Sequence, residues 1–259
     1  MQAANFDLNI YLKRIGFREE PKADLATLQS LMRHQLYSVP FENGDVWHGK
    51  IVSLVPEEIV EKIVHKGRGG YCYELNGLFC MALEAIGIPY KMLAARPRYN
   101  YTERRPKTHM VLRVDIGAEF YLCDLGFGGY GLREPVNITR LPVEAEQGPD
   151  RFRVSRMNDL EYLLQVWLDG KWTDLYSFDL IPQEWIDYTL PNYFNSTSPD
   201  TIFTKKKLAI LQNPTGRKFL VDNELKILSP DGVAVREIPD TACVDVLKAE
   251  FGIDMRSGS

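Results

Sequence analysis

Arg68-Gly69-Gly70-Tyr71-Cys72-Tyr73-Glu74-Leu75-Asn76-Gly77-Leu78-Phe79 is the stretch from which the rest of this chain is read. Two glycines free the backbone for an unusual approach, and an apolar run predicts a helix from about Cys72 to Ile86. Gly87-Ile88-Pro89 ends it. Cys72 therefore sits at a helix start, where unpaired backbone N–H groups and the positive dipole end favour a thiolate over a thiol. A thiolate is the form that attacks acyl carbonyls. The competing reading of Cys72 is a buried structural cysteine. That plainer reading is adopted for Cys80 and Cys243, which occupy apolar helix positions.

Upstream the chain reads as helical. The N-terminal MQAANFDLNIYLKRIGF has the pattern of an amphipathic helix and lacks the apolar core of a signal peptide. Asp24 caps a segment in which Leu25, Leu28, Met32 and Leu36 recur at helical spacing. Pro56 opens another, continued by Ile59, Val60, Ile63 and Val64 and ending near Gly67.

Downstream, from Tyr90 to about Ser177, the pattern turns to strands. Met110–Val114 and Phe120–Cys123 flank a short connection at Gly117-Ala118. Arg151–Met157, Tyr162–Leu168 and Lys171–Phe178 follow, the last two joined by Asp169-Gly170, a hairpin signal. Strands near Lys207–Gln212, Lys218–Asp222 and Val233–Ile238 lead to a helix over Thr241–Phe251. Helices, then strands, then a mixed tail give an α+β chain in three parts.

The hairpin around Gly117 gives two further residues a geometric meaning. With Ile116 opposite Glu119, Val111 faces Asp124 and His109 faces Gly126. Alternation then puts His109 and Asp124 on one sheet face, a diagonal step of about 7–8 Å apart. An imidazole beside a thiol takes its proton, and a carboxylate behind the ring fixes the tautomer and favours the imidazolium. Cys123 points to the other face and is read as core. His34, His48 and His65 have no such setting and are read as surface or helix-end residues. No two Cys or His stand at metal-ligand spacing, so no metal is expected.

Bulk properties narrow the function further. The chain has 259 residues and a net charge of −4, which gives no reason to expect nucleic acid as a partner. Eighteen uninterrupted apolar residues occur nowhere, so no membrane span is expected. Four cysteines without a CxxC pair suit reduced thiols and a cytoplasmic location. Arg256-Ser257-Gly258-Ser259 reads as a vector-derived linker.

At these residues the sequence resembles the arylamine N-acetyltransferases. RGGYCYELNGLF is similar to the family's RGGxCxExN signature, Thr108–Leu112 to its histidine segment, and Cys123–Gly128 to its DxGFG motif. Pro40-Phe41-Glu42-Asn43 matches its PFEN loop, and Asn192 with Ser196-Thr197-Ser198-Pro199 and Phe203 resembles its N…STSP stretch. The landmarks run in order from about residue 5 to about residue 253.

The resemblance implies a cysteine-protease-like core in three parts. These are an N-terminal helical bundle over 1–88, a β-barrel-like domain over 89–190 and a C-terminal α/β lid over 191–255. It implies transfer of an acetyl group from acetyl-CoA, a co-substrate rather than a tightly bound cofactor, to an arylamine, hydrazine or N-arylhydroxylamine, with a role in xenobiotic metabolism. By the same resemblance Cys72 is the nucleophile, His109 the base and acid, and Asp124 the orienting carboxylate. Phe41 and Phe127 match acceptor-pocket positions, with plain core packing as the competing reading. Gly126, Gly128 and Gly129 offer the coenzyme close backbone approach. Arg68 and Glu42 are read as a structural ion pair.

Three departures stand out. Gly44 replaces the leucine usual after PFEN, Asp200-Thr201 replaces a small residue and Ser, and the short C-terminus implies a more open lid. Three other functions fit parts of the pattern: a polyketide-releasing amide synthase, a Cys-His-Asp hydrolase or transglutaminase-like enzyme, and a silent binding module for aromatic ligands.

Overall fold

The computed structural model describes residues 1–254, so the linker reading of Arg256–Ser259 and the last residue of the expected lid lie outside the described residues. Helix α1 (Leu8–Ile15) starts where the Asp7 carboxylate accepts the Ile10 N–H at 3.0 Å. Helix α2 (Leu25–Ser38) starts at Asp24, whose carboxylate accepts the Thr27 N–H at 2.8 Å. A two-residue strand β1 (Phe41–Glu42) and a short helix α3 (Gly44–Trp47) follow. Helix α4 (Pro56–Val60) runs on into a π-helical turn over Glu61–His65. Helix α5 (Cys72–Ile86) begins and ends where the sequence predicts. Its residues from Cys72 to Leu83 are all buried, so it is the central rod of the helical part.

An eight-stranded antiparallel sheet, barrel-like and nearly closed, takes up the middle of the chain. Its strands are β2 (Tyr90–Pro97), β3 (His109–Ile116), β4 (Glu119–Cys123), β5 (Val136–Asn137), β6 (Val143–Gln147), β7 (Asp150–Arg156), β8 (Tyr162–Leu168) and β9 (Lys171–Gln183). They lie in the order β5-β4-β3-β2-β9-β8-β7-β6. Asp169 and Gly170 both have positive φ, 49° and 78°, which is the twist a two-residue hairpin needs between β8 and β9. The β3–β4 register is the predicted one: Ile116 pairs with Glu119 and Leu112 with Cys123. Strand β9 runs past the predicted end at Phe178 to Gln183, because its far end pairs with β2 after a register shift.

Helix α6 (Thr189–Thr197), which the sequence reading did not single out, leads from this sheet to a second one, and the expected 190/191 division falls inside it. The second sheet holds β10 (Leu208–Asn213), β11 (Gly216–Val221), β12 (Glu224–Ser229) and β13 (Gly232–Glu237). Its order is β1-β10-β11-β12-β13, so the PFEN segment supplies an edge strand to the C-terminal sheet. Helix α7 (Cys243–Phe251) closes the described chain and packs on this sheet around Leu220, Leu225, Phe251 and Ile253. Among the described residues no helix is long and apolar enough to cross a membrane.

Candidate active site

Cys72 is the first residue of α5, His109 the first of β3, and Asp124 lies just beyond β4. The imidazole Nε2 of His109 lies 2.7 Å from Asp124 Oδ2, as the hairpin parity requires. Both side chains are buried. The other carboxylate oxygen, Asp124 Oδ1, accepts the Gly126 N–H at 2.9 Å and the Asn76 amide at 3.3 Å. One face of the carboxylate is thus fixed by backbone and amide, and the other is left to the ring. With Nε2 engaged, Nδ1 is the ring nitrogen available to the cleft that Cys72 and His109 both line.

Asn76 is the joint of the site, although the sequence analysis quoted it only within its motif. It lies one turn beyond Cys72 on the same helix face. Its amide also donates to the Met110 carbonyl at 2.9 Å, and its oxygen accepts the Leu125 N–H at 3.0 Å. It therefore ties the helix of the nucleophile to the strand of His109 and the loop of Asp124. Tyr73 and Asn195 add bonds to the Thr108 carbonyl at 2.8 and 2.9 Å.

The imidazole is also held by aromatic rings. Phe127 and Tyr176 lie 5.4 and 5.2 Å from its centroid and 5.2 Å from each other. Tyr176, on β9, was not among the sequence candidates, and nothing in its local pattern marks it. Burial pushes its phenol well up, with the Asp124 charge adding to the effect.

At the Cys72 thiol, burial opposes the effect of the helix start. Burial pushes the thiol up and the Asp124 charge adds to this, while backbone N–H groups of Met110 and Tyr73 pull only partly the other way. Desolvation outweighs the pull of these backbone N–H groups.

Behind α5, Lys62 Nζ meets Asp45 at 2.5 Å, Glu74 at 2.7 Å and Glu42 at 3.8 Å. Burial works to lower this ammonium, but the three carboxylates outweigh it and leave it raised. Burial pushes the Glu74 carboxyl up to about 7, against the pull of Lys62. Glu74 accepts the Tyr71 N–H at 3.0 Å, which anchors the first turn of α5. The expected ion pair is present as a fork, Arg68 Nε and Nη2 reaching Glu42 Oε1 at 2.9 and 2.7 Å.

The cleft has a volume of about 650 Å³. Phe41, Phe127, Gly126 and Gly129 line it; Gly128, expected beside the coenzyme, is not among the lining residues and packs near Ile210 and Phe41. The glycines have a packing reason of their own. A Cβ on Gly126 would lie 2.4 Å from Cys72 Cα, and one on Gly129 would lie 2.0 Å from the Phe219 ring. Asp200 stands at the cleft rim, its carbonyl accepting from Arg105 at 2.8 Å. Gly44 borders a separate small apolar hollow with Trp47, Leu208 and Leu220. His34, His48 and His65 stand apart from the cleft, His48 and His65 exposed and His34 half-buried within α2.

Of the four cysteines only Cys72 lines this cleft. Cys80 and Cys123 are fully enclosed, and Cys243 is half-buried at the start of α7. Iodoacetamide near neutral pH is therefore expected to alkylate Cys72 at least ~10-fold faster than the other three, because only it shares a cleft with an imidazole. Peptide mapping over time measures this, and equal labelling of Cys80 or Cys243 contradicts it.

A family model described as N-acetyltransferase matches residues 24–258. The arylamine N-acetyltransferase of Mycolicibacterium smegmatis is 32% identical over 96% of this chain and 92% of its own length. The crystal structure of the Nocardia farcinica arylamine N-acetyltransferase superposes with a TM-score of 0.89 at 34% identity, covering 97% of this chain and 91% of that one. The Mycobacterium marinum enzyme in complex with CoA gives a TM-score of 0.89 at 30% identity, covering 95% and 93%. The shared architecture is the cysteine-protease-like α+β fold that the sequence motifs imply. By sequence and by fold alike, the chain belongs to the arylamine N-acetyltransferase family.

Proposed function

We propose that this protein transfers an acetyl group from acetyl-CoA to the nitrogen of an arylamine, hydrazine or N-arylhydroxylamine through an acetyl-Cys72 intermediate. The observation that carries the reading is the 2.7 Å bond between His109 Nε2 and Asp124, beside Cys72 in one cleft. His109 Nδ1 takes the thiol proton, and Asp124 stabilises the imidazolium so formed. The thiolate attacks the thioester carbonyl, and the tetrahedral intermediate collapses to acetyl-Cys72. The departing CoA sulfur takes the proton from His109. The acceptor amine then attacks the acetyl group and gives a proton to His109, which returns it to Cys72 Sγ as that bond breaks.

The roles of the lining residues follow from the same reading. Phe41 and Phe127 offer ring faces to a flat acceptor. Gly126 and Gly129 give the coenzyme close backbone approach. The helical part over 1–88 brings the nucleophile, the part over 89–190 brings the acid–base pair, and the remainder from 191 roofs the cleft. CoA bound to the Mycobacterium marinum relative supports the donor assignment.

Because CoA leaves before the amine attacks, double-reciprocal plots with both substrates varied are expected to be parallel. Intersecting lines indicate direct transfer in a ternary complex and contradict the acetyl-Cys72 route.

A further inference from the structure

Asp150 is shared between two buried arginines, with no second carboxylate within ion-pair distance of either among the described residues. Arg133 Nε reaches Asp150 Oδ2 at 2.6 Å, and Arg217 Nη2 meets Oδ1. Arg133 and Arg217 are 1% and 3% exposed, so the trio holds one positive charge in excess, out of water. Keeping such a charge is costly unless something offsets it.

Arg133 is otherwise fully used on the β10–β11 turn, donating to the carbonyls of Asn213 and Gly216. Arg217 is not. Its Nε is buried without a partner, its Nη1 donates to the Gly129 carbonyl, and its guanidinium lies 4.8 Å from the centre of the Tyr130 ring. Gly129 and Tyr130 line the cleft, and the Tyr130 ring packs on Tyr99 at 5.5 Å and Phe219 at 5.6 Å, which line it too. The excess charge therefore stands one ring behind the cleft wall. In front of that wall the rim carries Arg105, Lys205, Lys206 and Lys226 against Asp200 and Glu224.

We propose that Arg217 is a positioning and charge-supplying residue for an anionic, phosphate-bearing acyl donor. It holds Gly129 and Tyr130 in the wall and biases the cleft toward the negative part of the donor. This rests on the acyl-CoA reading above. An anion in the cleft beyond the Tyr130 ring stands roughly 8 Å from the guanidinium, where one unit charge at an effective dielectric of about 20 is worth on the order of ten- to thirty-fold in binding.

The test compares Arg217→Lys, which keeps the charge, with Arg217→Gln, which keeps a donor for the Gly129 carbonyl. CoA binding is measured by calorimetry, and KM is measured for acetyl-CoA and for S-acetylpantetheine, a donor with the same thioester and no phosphate. Arg217→Gln is expected to raise the Kd for CoA and the KM for acetyl-CoA about ten-fold, and the KM for S-acetylpantetheine less than three-fold. Arg217→Lys is expected to stay within three-fold on all measures. If the Gln variant melts below the assay temperature, Arg217→Met, which also removes the orphaned Nε, carries the same comparison. Equal losses for Lys and Gln, equal losses with both donors, or no change in CoA affinity overturn the proposal. If CoA affinity shows the predicted difference between the Lys and Gln variants, yet the wild-type protein releases no CoA from acetyl-CoA, the acetyltransferase reading falls and this one stands.

Discussion

Replacing Cys72 with alanine is expected to lower acetyl transfer by at least ~10⁴-fold while the protein stays folded. The change removes one sulfur from a side chain that is 2% exposed at the first position of α5. The helix start is anchored by Glu74 on the Tyr71 N–H and by Asn76 on Met110 and Leu125, none of which the exchange touches. The stability cost is that of a small cavity, about 1 kcal/mol. Activity behaves differently, because no other group can hold the acetyl between donor and acceptor. Steady-state CoA release with an arylamine, read beside a thermal melt, checks both halves. A well-folded Cys72→Ala protein within tenfold of wild type means that the amine attacks the donor directly.

Replacing Asp124 with asparagine is expected to cost on the order of 10²–10³-fold in acylation, nearly as much as losing His109. The geometry gives a specific reason. Oδ1 is held by two donors, the Gly126 N–H and the Asn76 amide. An asparagine must keep its oxygen there, so its NH₂ has to face His109 Nε2. That makes Nε2 an acceptor and puts the ring proton on Nδ1, toward the thiol, where a base is needed. The charge that stabilises the imidazolium is lost as well. In the serine-protease triad, used here as an analogy, this exchange costs about 10⁴-fold; a thiol starts from a lower pKa than a hydroxyl, which reduces the loss. Single-turnover CoA release without acceptor isolates the step, and iodoacetamide reactivity of Cys72 should fall in parallel. Acylation near the wild-type rate in a folded variant makes Asp124 a structural loop residue.

Local features of this molecule were readable in the sequence, and features that depend on distant segments were not. Helix α5 and the β3–β4 register follow from glycine placement and alternation, and together they bring His109 to Asp124. The length of β9 depends on pairing with β2, which no window of β9 contains. Tyr176 reaches the imidazole only because β9 lies beside β2, the neighbour of β3. The burial that opposes the helix-start effect at Cys72 was not legible, because the helix dipole is local and visible, whereas the desolvation comes from the whole enclosing core. Arg133, Asp150 and Arg217 come from a loop, β7 and β11, so no spacing in the sequence marks them as a trio. The motifs are legible where neighbours in sequence are neighbours in space.

The most direct test of the account is the mass of the intact protein after mixing with acetyl-CoA in the absence of any acceptor amine. One added acetyl group is expected on the wild-type chain, mapped by peptide analysis to Cys72, released on adding an arylamine, and absent from Cys72→Ala. An unmodified wild-type protein that still turns over, or an acetyl group found on the Cys72→Ala protein, contradicts the acetyl-Cys72 mechanism.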